Sequence, residues 1–160
     1  MISTGRRLAQ KFTTGSSNVS LFSVDLKIDS DFPPEDSDDI TVTLNEKASG
    51  GEPGNKRYDL TNPSNVTSPG VRNFAAPANS TLDANTDYYI VIKSNDGYRR
   101  IEGTNSNDQD TDSGWGIADT HYYHNGSWNE SNGGTAVRIS INGPETPDAP
   151  TGLTLSLIHI

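Results

Sequence analysis

The 160 residues predict an all-β chain, an antiparallel β-sandwich of jelly-roll-like arrangement. Three observations carry this. Residues 86–93 are apolar on both faces, Tyr88, Ile90 and Ile92 alternating with Tyr89 and Val91. Such a strand must be covered on both sides, so it belongs inside a layered β-structure. Other short runs alternate apolar and polar residues, with turn signals about every ten residues, as in sandwiches and jelly rolls. No segment shows the 3.6-residue period of an amphipathic helix.

In chain order, residues 8–14 form a first strand with Leu8 and Phe12 inward, closed by the turn residues 15–18. Phe22, Val24, Leu26 and Ile28 alternate with Ser23, Asp25 and Lys27, a half-buried strand with the four apolar side chains inward. Residues 29–39 contain Pro33-Pro34 and many carboxylates, and form a loop. Ile40, Val42 and Leu44 alternate with Thr41, Thr43 and Asn45 in the next strand. Residues 50–54 are a turn. Residues 57–61 form a short strand ended by Asn62-Pro63, and residues 71–74 another, ended by Pro77. Residues 80–85 lead into the central strand at 86–93. Residues 98–102 follow, then a polar loop at 105–113. Residues 114–117 and 121–124 read as two short strands. Asn125-Gly126 is a hairpin signal ahead of Ser127-Trp128-Asn129. Val137, Ile139 and Ile141 alternate with Arg138 and Ser140 in the last strand of a module spanning residues 1–144.

Residues 145–154 differ in kind. They read as a proline-containing linker and the opening of a new strand. Pro147-Asp148-Ala149-Pro150-Thr151-Gly152-Leu153-Thr154 resembles the first strand of a fibronectin type III domain, here truncated. Residues 155–160 resemble the translation of a transposon adapter used in sequencing libraries, and are expected to be an artefact.

Composition narrows the partners. A net charge of −9 argues against nucleic acid and anionic membrane surfaces, which favour basic patches. The absence of cysteine removes disulfides and thiolate metal sites. No run has the length of a membrane helix, so no membrane insertion is expected. Arg6-Arg7 has no apolar core behind it, so residues 1–7 are not a signal peptide, and an export signal is expected upstream.

The candidate chemistry is non-catalytic. The loop 105–112 carries oxygen side chains at alternate positions, and Asn107, Asp108, Asp110 and Asp112 are the candidate ligands for calcium, the one cofactor considered. The plain alternative is a solvated acidic loop. The loop 29–39 is a second acidic segment, its spacing broken by the prolines. Tyr122, Tyr123, Trp128 and Trp115 concentrate aromatic rings in the last third of the chain, as a polysaccharide-binding surface would. Large aromatics that simply close a sandwich would read the same way. On one strand, Tyr122 and Tyr123 point to opposite faces. His121 and His124 do too, so they make a poor metal pair. No nucleophile elbow occurs, and no two carboxylates are marked as a glycosidase pair.

Several segments in order carry a family resemblance: Ala9-Gln10-Lys11-Phe12-Thr13-Thr14-Gly15, Leu21-Phe22-Ser23-Val24-Asp25-Leu26, and Leu82-Asp83-Ala84-Asn85-Thr86-Asp87-Tyr88-Tyr89. Asp112-Ser113-Gly114-Trp115-Gly116-Ile117-Ala118-Asp119, Trp128, and Val137-Arg138-Ile139-Ser140-Ile141-Asn142-Gly143 continue it. Over about residues 8–143 the chain resembles the choice-of-anchor repeat modules of large bacterial surface proteins. The resemblance implies a non-catalytic, exported sandwich beside neighbouring β-sandwich and fibronectin type III domains of the same chain. The expected function is structural and adhesive, at the cell surface or outside the cell. The alternative is a carbohydrate-binding module, calcium-supported, attached to a secreted enzyme.

Overall fold

The computed structural model describes residues 2–3, 6–31, 33–36, 39–101, 103–104, 116–130, 136–137 and 139–142. Trp115, the candidate calcium loop 105–112 and residues 145–160 lie outside them. The described residues form strands β1 (Ile2–Ser3), β2 (Arg7–Thr13), β3 (Val19–Ser20), β4 (Ser23–Ile28), β5 (Ile40–Lys47) and β6 (Pro53–Leu60). They continue with β7 (Gly70–Ala75), β8 (Thr81–Leu82), β9 (Asp87–Ser94), β10 (Tyr98–Arg99) and β11 (Gly103–Thr104). The last four are β12 (Gly116–His124), β13 (Ser127–Glu130), β14 (Ala136–Val137) and β15 (Ile139–Asn142).

Two antiparallel sheets make the sandwich. The larger has six strands in the order β13-β12-β2-β9-β5-β6, the smaller three in the order β15-β4-β7. The chain crosses between them repeatedly, β2 to β4 to β5 and β6 to β7 to β9, which is the jelly-roll-like habit. Two-residue pairs, β1 with β10, β3 with β8 and β11 with β14, tie the connections together. Between the sheets lies the main core. Val24, Leu26 and Ile28 of β4 and Phe74 of β7 meet Phe12 of β2, Val42 and Leu44 of β5, and Tyr88, Ile90 and Ile92 of β9.

β9 has the surroundings its sequence demands. Tyr88 through Ile92 are all buried, although they alternate between faces. Both neighbours run in unbroken register, Lys11↔Tyr89↔Asn45 and Ala9↔Val91↔Thr43 among the pairs. Its outward face makes a second apolar cluster of Ala9, Tyr89 and Val91, against which Trp128 packs. The Tyr89 hydroxyl reaches across to donate to the carbonyl of Gly51 in the β5–β6 turn. The large sheet therefore has apolar packing on both sides, with the second supplied by its own turn and edge hairpin rather than another sheet.

Several elements differ from the sequence reading, among them the last predicted strand, whose Val137 lies in β14, paired with β11, and whose Ile139 and Ile141 lie in β15, paired with β4. Phe22 is 57% exposed and precedes β4, because its backbone carbonyl instead accepts from Ala76 N–H at 2.8 Å and turns the chain there. β6 starts at Pro53, inside the predicted turn. Proline is tolerated as the first residue of this edge strand, and Asn45 Nδ2 donates to the Gly54 carbonyl at 2.8 Å across two register shifts. The described residues of the two short strands predicted at 114–117 and 121–124 belong to the single strand β12, whose pairing with β2 slips between Ala118 and Thr120. That irregularity breaks the period-two pattern, so one strand reads as two.

Candidate functional site

The hairpin β12–β13 carries the aromatic residues singled out from sequence. Its turn, Asn125-Gly126, has φ values of 50° and 83°, the two left-handed positions that a tight two-residue hairpin requires. Cross-strand pairing sets Tyr123 opposite both Arg7 and Trp128, and Tyr122 opposite Leu8 and Asn129. Directly opposed residues share a face, so Tyr123, Trp128 and Arg7 are on the outward side and Tyr122 on the core side. The rings of Tyr123 and Trp128 meet edge to face at 5.4 Å, and the Arg7 guanidinium lies 4.9 Å from the Tyr123 ring centre. Trp128 is half-buried, leaning on the second apolar cluster. Tyr122 is 44% exposed although it lies on the core side. The three aromatics thus form no common platform. His121 is outward, its ring edge-on to Tyr89 at 5.4 Å, while the exposed His124 is on the other side. Beneath this face, Arg7 Nε and His121 Nδ1 are buried, with no hydrogen-bond partner among the described residues.

A second feature was not singled out from sequence. A cavity of about 430 Å³ opens where the end of β5 and the middle of β6 meet the β8–β9 turn. Its charged walls are Glu46, Lys47, Arg57, Asp83 and Asp87, joined by Tyr88 and the turn residues Asn85 and Thr86. Arg57 Nη1 donates to Asp83 Oδ2 at 2.9 Å and to the Tyr88 hydroxyl at 3.1 Å, and lies 3.5 Å from Glu46. The Tyr88 hydroxyl donates to Asp83 Oδ2 at 3.1 Å and accepts from Asp83 N–H at 3.0 Å. On the other wall, Asp87 accepts from Thr13 Oγ1 and Lys47 Nζ, each at 2.6 Å, with Lys11 Nζ at 3.6 Å. The turn is held from below. Thr14 Oγ1 donates to the Asp83 carbonyl and accepts from Thr86 N–H, and Asn85 N–H donates to the Gly15 carbonyl.

These contacts keep the walls charged. Hydrogen bonds with Tyr58 and Asp83 hold Arg57 above its ordinary value despite burial. Asp83 is held low by its hydrogen bonds from Arg57 and Tyr88. Burial pushes Asp87 up, but Lys47, Thr13 and Lys11 outweigh it and keep the carboxyl below its usual range. Burial raises the Tyr88 hydroxyl, which stays protonated and able to donate.

In the acidic loop at 29–39, Asp29, Asp31 and Asp39 meet arginines. Asp39 Oδ2 meets Arg99 Nη2 at 2.6 Å and accepts from the backbone N–H of Glu35 and Asp36. Arg100 bridges Asp29 and Asp31. Among the described residues, no group of three or more His, Asp or Glu is placed to hold a metal ion. Sequence reasoning missed the cavity because its residues come from three separated stretches. The only local signal was the polar run Asp83-Ala84-Asn85-Thr86-Asp87 between two strands. No protein-family model, curated protein or solved structure matches the chain.

Proposed function

We propose that this chain is a non-catalytic structural and adhesive module of a bacterial multi-domain surface protein. It works outside the cell beside neighbouring β-sandwich and fibronectin type III domains of the same chain. The observation that carries the reading is the placement of its first long strand. β2 sits in the middle of the large sheet, paired along all seven residues with β9 on one side and with β12 on the other. The last described strand, β15, is likewise paired along its full length with β4. Tension applied through the chain therefore meets hydrogen-bonded ladders before it meets loops, as a spacer between domains requires. The motif order over residues 8–143 supports the same reading.

Single-molecule stretching of the full chain between two reference domains tests this. The expected result is one cooperative rupture releasing roughly 45 nm, the extended length of residues 7–142. Stepwise lengthening at low force, without a single rupture, would refute the spacer reading.

A further inference from the structure

From the charged corner cavity we infer a binding site for a neutral saccharide, one to two sugar rings in size. The inference rests on the adhesive half of the function proposed above, and supplies its ligand class. The cavity, at about 430 Å³, falls within the range of about 300–1,000 Å³ common to small-ligand sites. The backbone that carries its polar groups is already fixed, by the β5 and β6 ladders on one side and by Thr14 and Gly15 under the turn on the other. A ligand therefore meets walls whose backbone needs no reordering.

The unspent hydrogen-bonding capacity points to the ligand class. Among the described residues, Arg57 Nη2 has no hydrogen-bond partner, and Lys47 Nζ uses one of its three N–H groups, on Asp87. Asp83 makes its contacts through Oδ2 and Glu46 through Oε1, which leaves the second oxygen of each carboxylate to accept. Free donors and free acceptors thus share one lining. A sugar hydroxyl both donates and accepts, so adjacent hydroxyls can meet both with charge-assisted bonds.

The charge balance disfavours charged small ligands. The lining holds two cations, Lys47 and Arg57, against three carboxylates, Glu46, Asp83 and Asp87. A divalent cation would lie against the two cations, with Lys11 behind them. An anion would face the three carboxylates. A zwitterion such as a free amino acid would set each of its charges beside a like charge as well as an opposite one, because the lining's cations and carboxylates are already paired in the Lys47–Asp87 and Arg57–Asp83 contacts at 2.6 and 2.9 Å. A neutral saccharide uses what those contacts leave over and breaks none of them. Tyr122, Tyr123 and Trp128 belong to a different part of the large sheet and are not among the cavity's lining residues.

The test titrates the full chain with neutral hexoses, pentoses and their disaccharides, reading amide chemical shifts and heat of binding. Saturable binding is expected, with shifts grouped at residues 46–47, 57 and 83–88. Arg57→Gln should weaken it at least ten-fold. Should Arg57→Gln fail to fold, the Glu46→Gln, Lys47→Ala double variant decides, because neither side chain is buried, Glu46 being 52% and Lys47 41% exposed. Trp128→Ala should leave binding within two-fold. Absence of saturable binding from the folded chain overturns the inference. So does binding unchanged in the pocket variants, binding lost in Trp128→Ala alone, binding abolished by chelator, or a preference for glycine over every sugar. The stretching experiment uses no saccharide, so the spacer reading and the saccharide site fail independently.

Discussion

Replacing Tyr89 by alanine asks whether the outward face of the large sheet is a second core. Tyr89 points away from the main core, yet it is fully buried, under His121 and the β5–β6 turn and in one cluster with Ala9 and Val91. A buried tyrosine removes about 150–250 Å² from water. At about 25 cal/mol per Å² that is about 4–6 kcal/mol. A compact denatured chain already buries part of this area, which trims the figure by about 10–40%. Alanine keeps the Cβ contact, so we expect a loss of about 3–4 kcal/mol. Tyr89→Phe isolates the hydroxyl bond to Gly51 and should cost about 1 kcal/mol. Urea unfolding followed by tryptophan fluorescence and circular dichroism reads both. With a slope of about 2 kcal/mol per molar, the alanine variant's midpoint falls by about 1.5–2 M. Val71→Ala is the control: Val71 is 58% exposed on the outward face of the smaller sheet, and the change should stay within about 0.5 kcal/mol. A Tyr89→Ala midpoint within about 0.5 M of the parent, with unchanged slope, would show that the outer cluster contributes nothing and refute the two-sided packing.

Three further substitutions test the buried polar geometry and the hairpin turn. Burial pushes the Asp39 carboxyl up, but the N–H groups of Asp36 and Glu35 and the Arg99 guanidinium together hold it below its ordinary value of 3.8. Its contribution is then complete above about pH 4 and is lost as pH falls through the lowered value, so Asp39→Asn should flatten the acid limb of the stability curve. Arg99→Met leaves the Asp39 carboxylate in place without its guanidinium and should cost about 3 kcal/mol at neutral pH, measured by urea unfolding. In the β12–β13 turn, Gly126→Val places a branched side chain at φ 83° and should cost about 1–3 kcal/mol. Hydrogen exchange should then speed up at Ser127–Glu130 while the β9 amides stay protected, because the strain acts on the edge hairpin first.

The periodic strands could be recognised before any coordinate was known. Ile40, Val42 and Leu44, and Val24, Leu26 and Ile28, are buried where their alternation puts them. The two apolar faces of β9 required cover on both sides. Asn125-Gly126 announced its turn because few other residue pairs tolerate two successive left-handed φ values. All of these are local: period two reports a face, and a φ requirement reports a residue type. Tertiary pairing decided the rest. That Tyr123 faces Trp128 and Arg7 while Tyr122 looks the other way depends on the register of β12 against β2 and β13. What covers Tyr89 depends on a turn 38 residues away in the chain. Phe22 carries the inward pattern and still emerges into solvent, because the chain crosses between sheets just before β4 begins. The corner cavity joins Glu46 and Lys47, Arg57, and residues 83–88, whose nearness exists only once β5, β6 and β9 lie side by side. Side-chain pattern states which way a residue points, and only the folded chain states what it meets there.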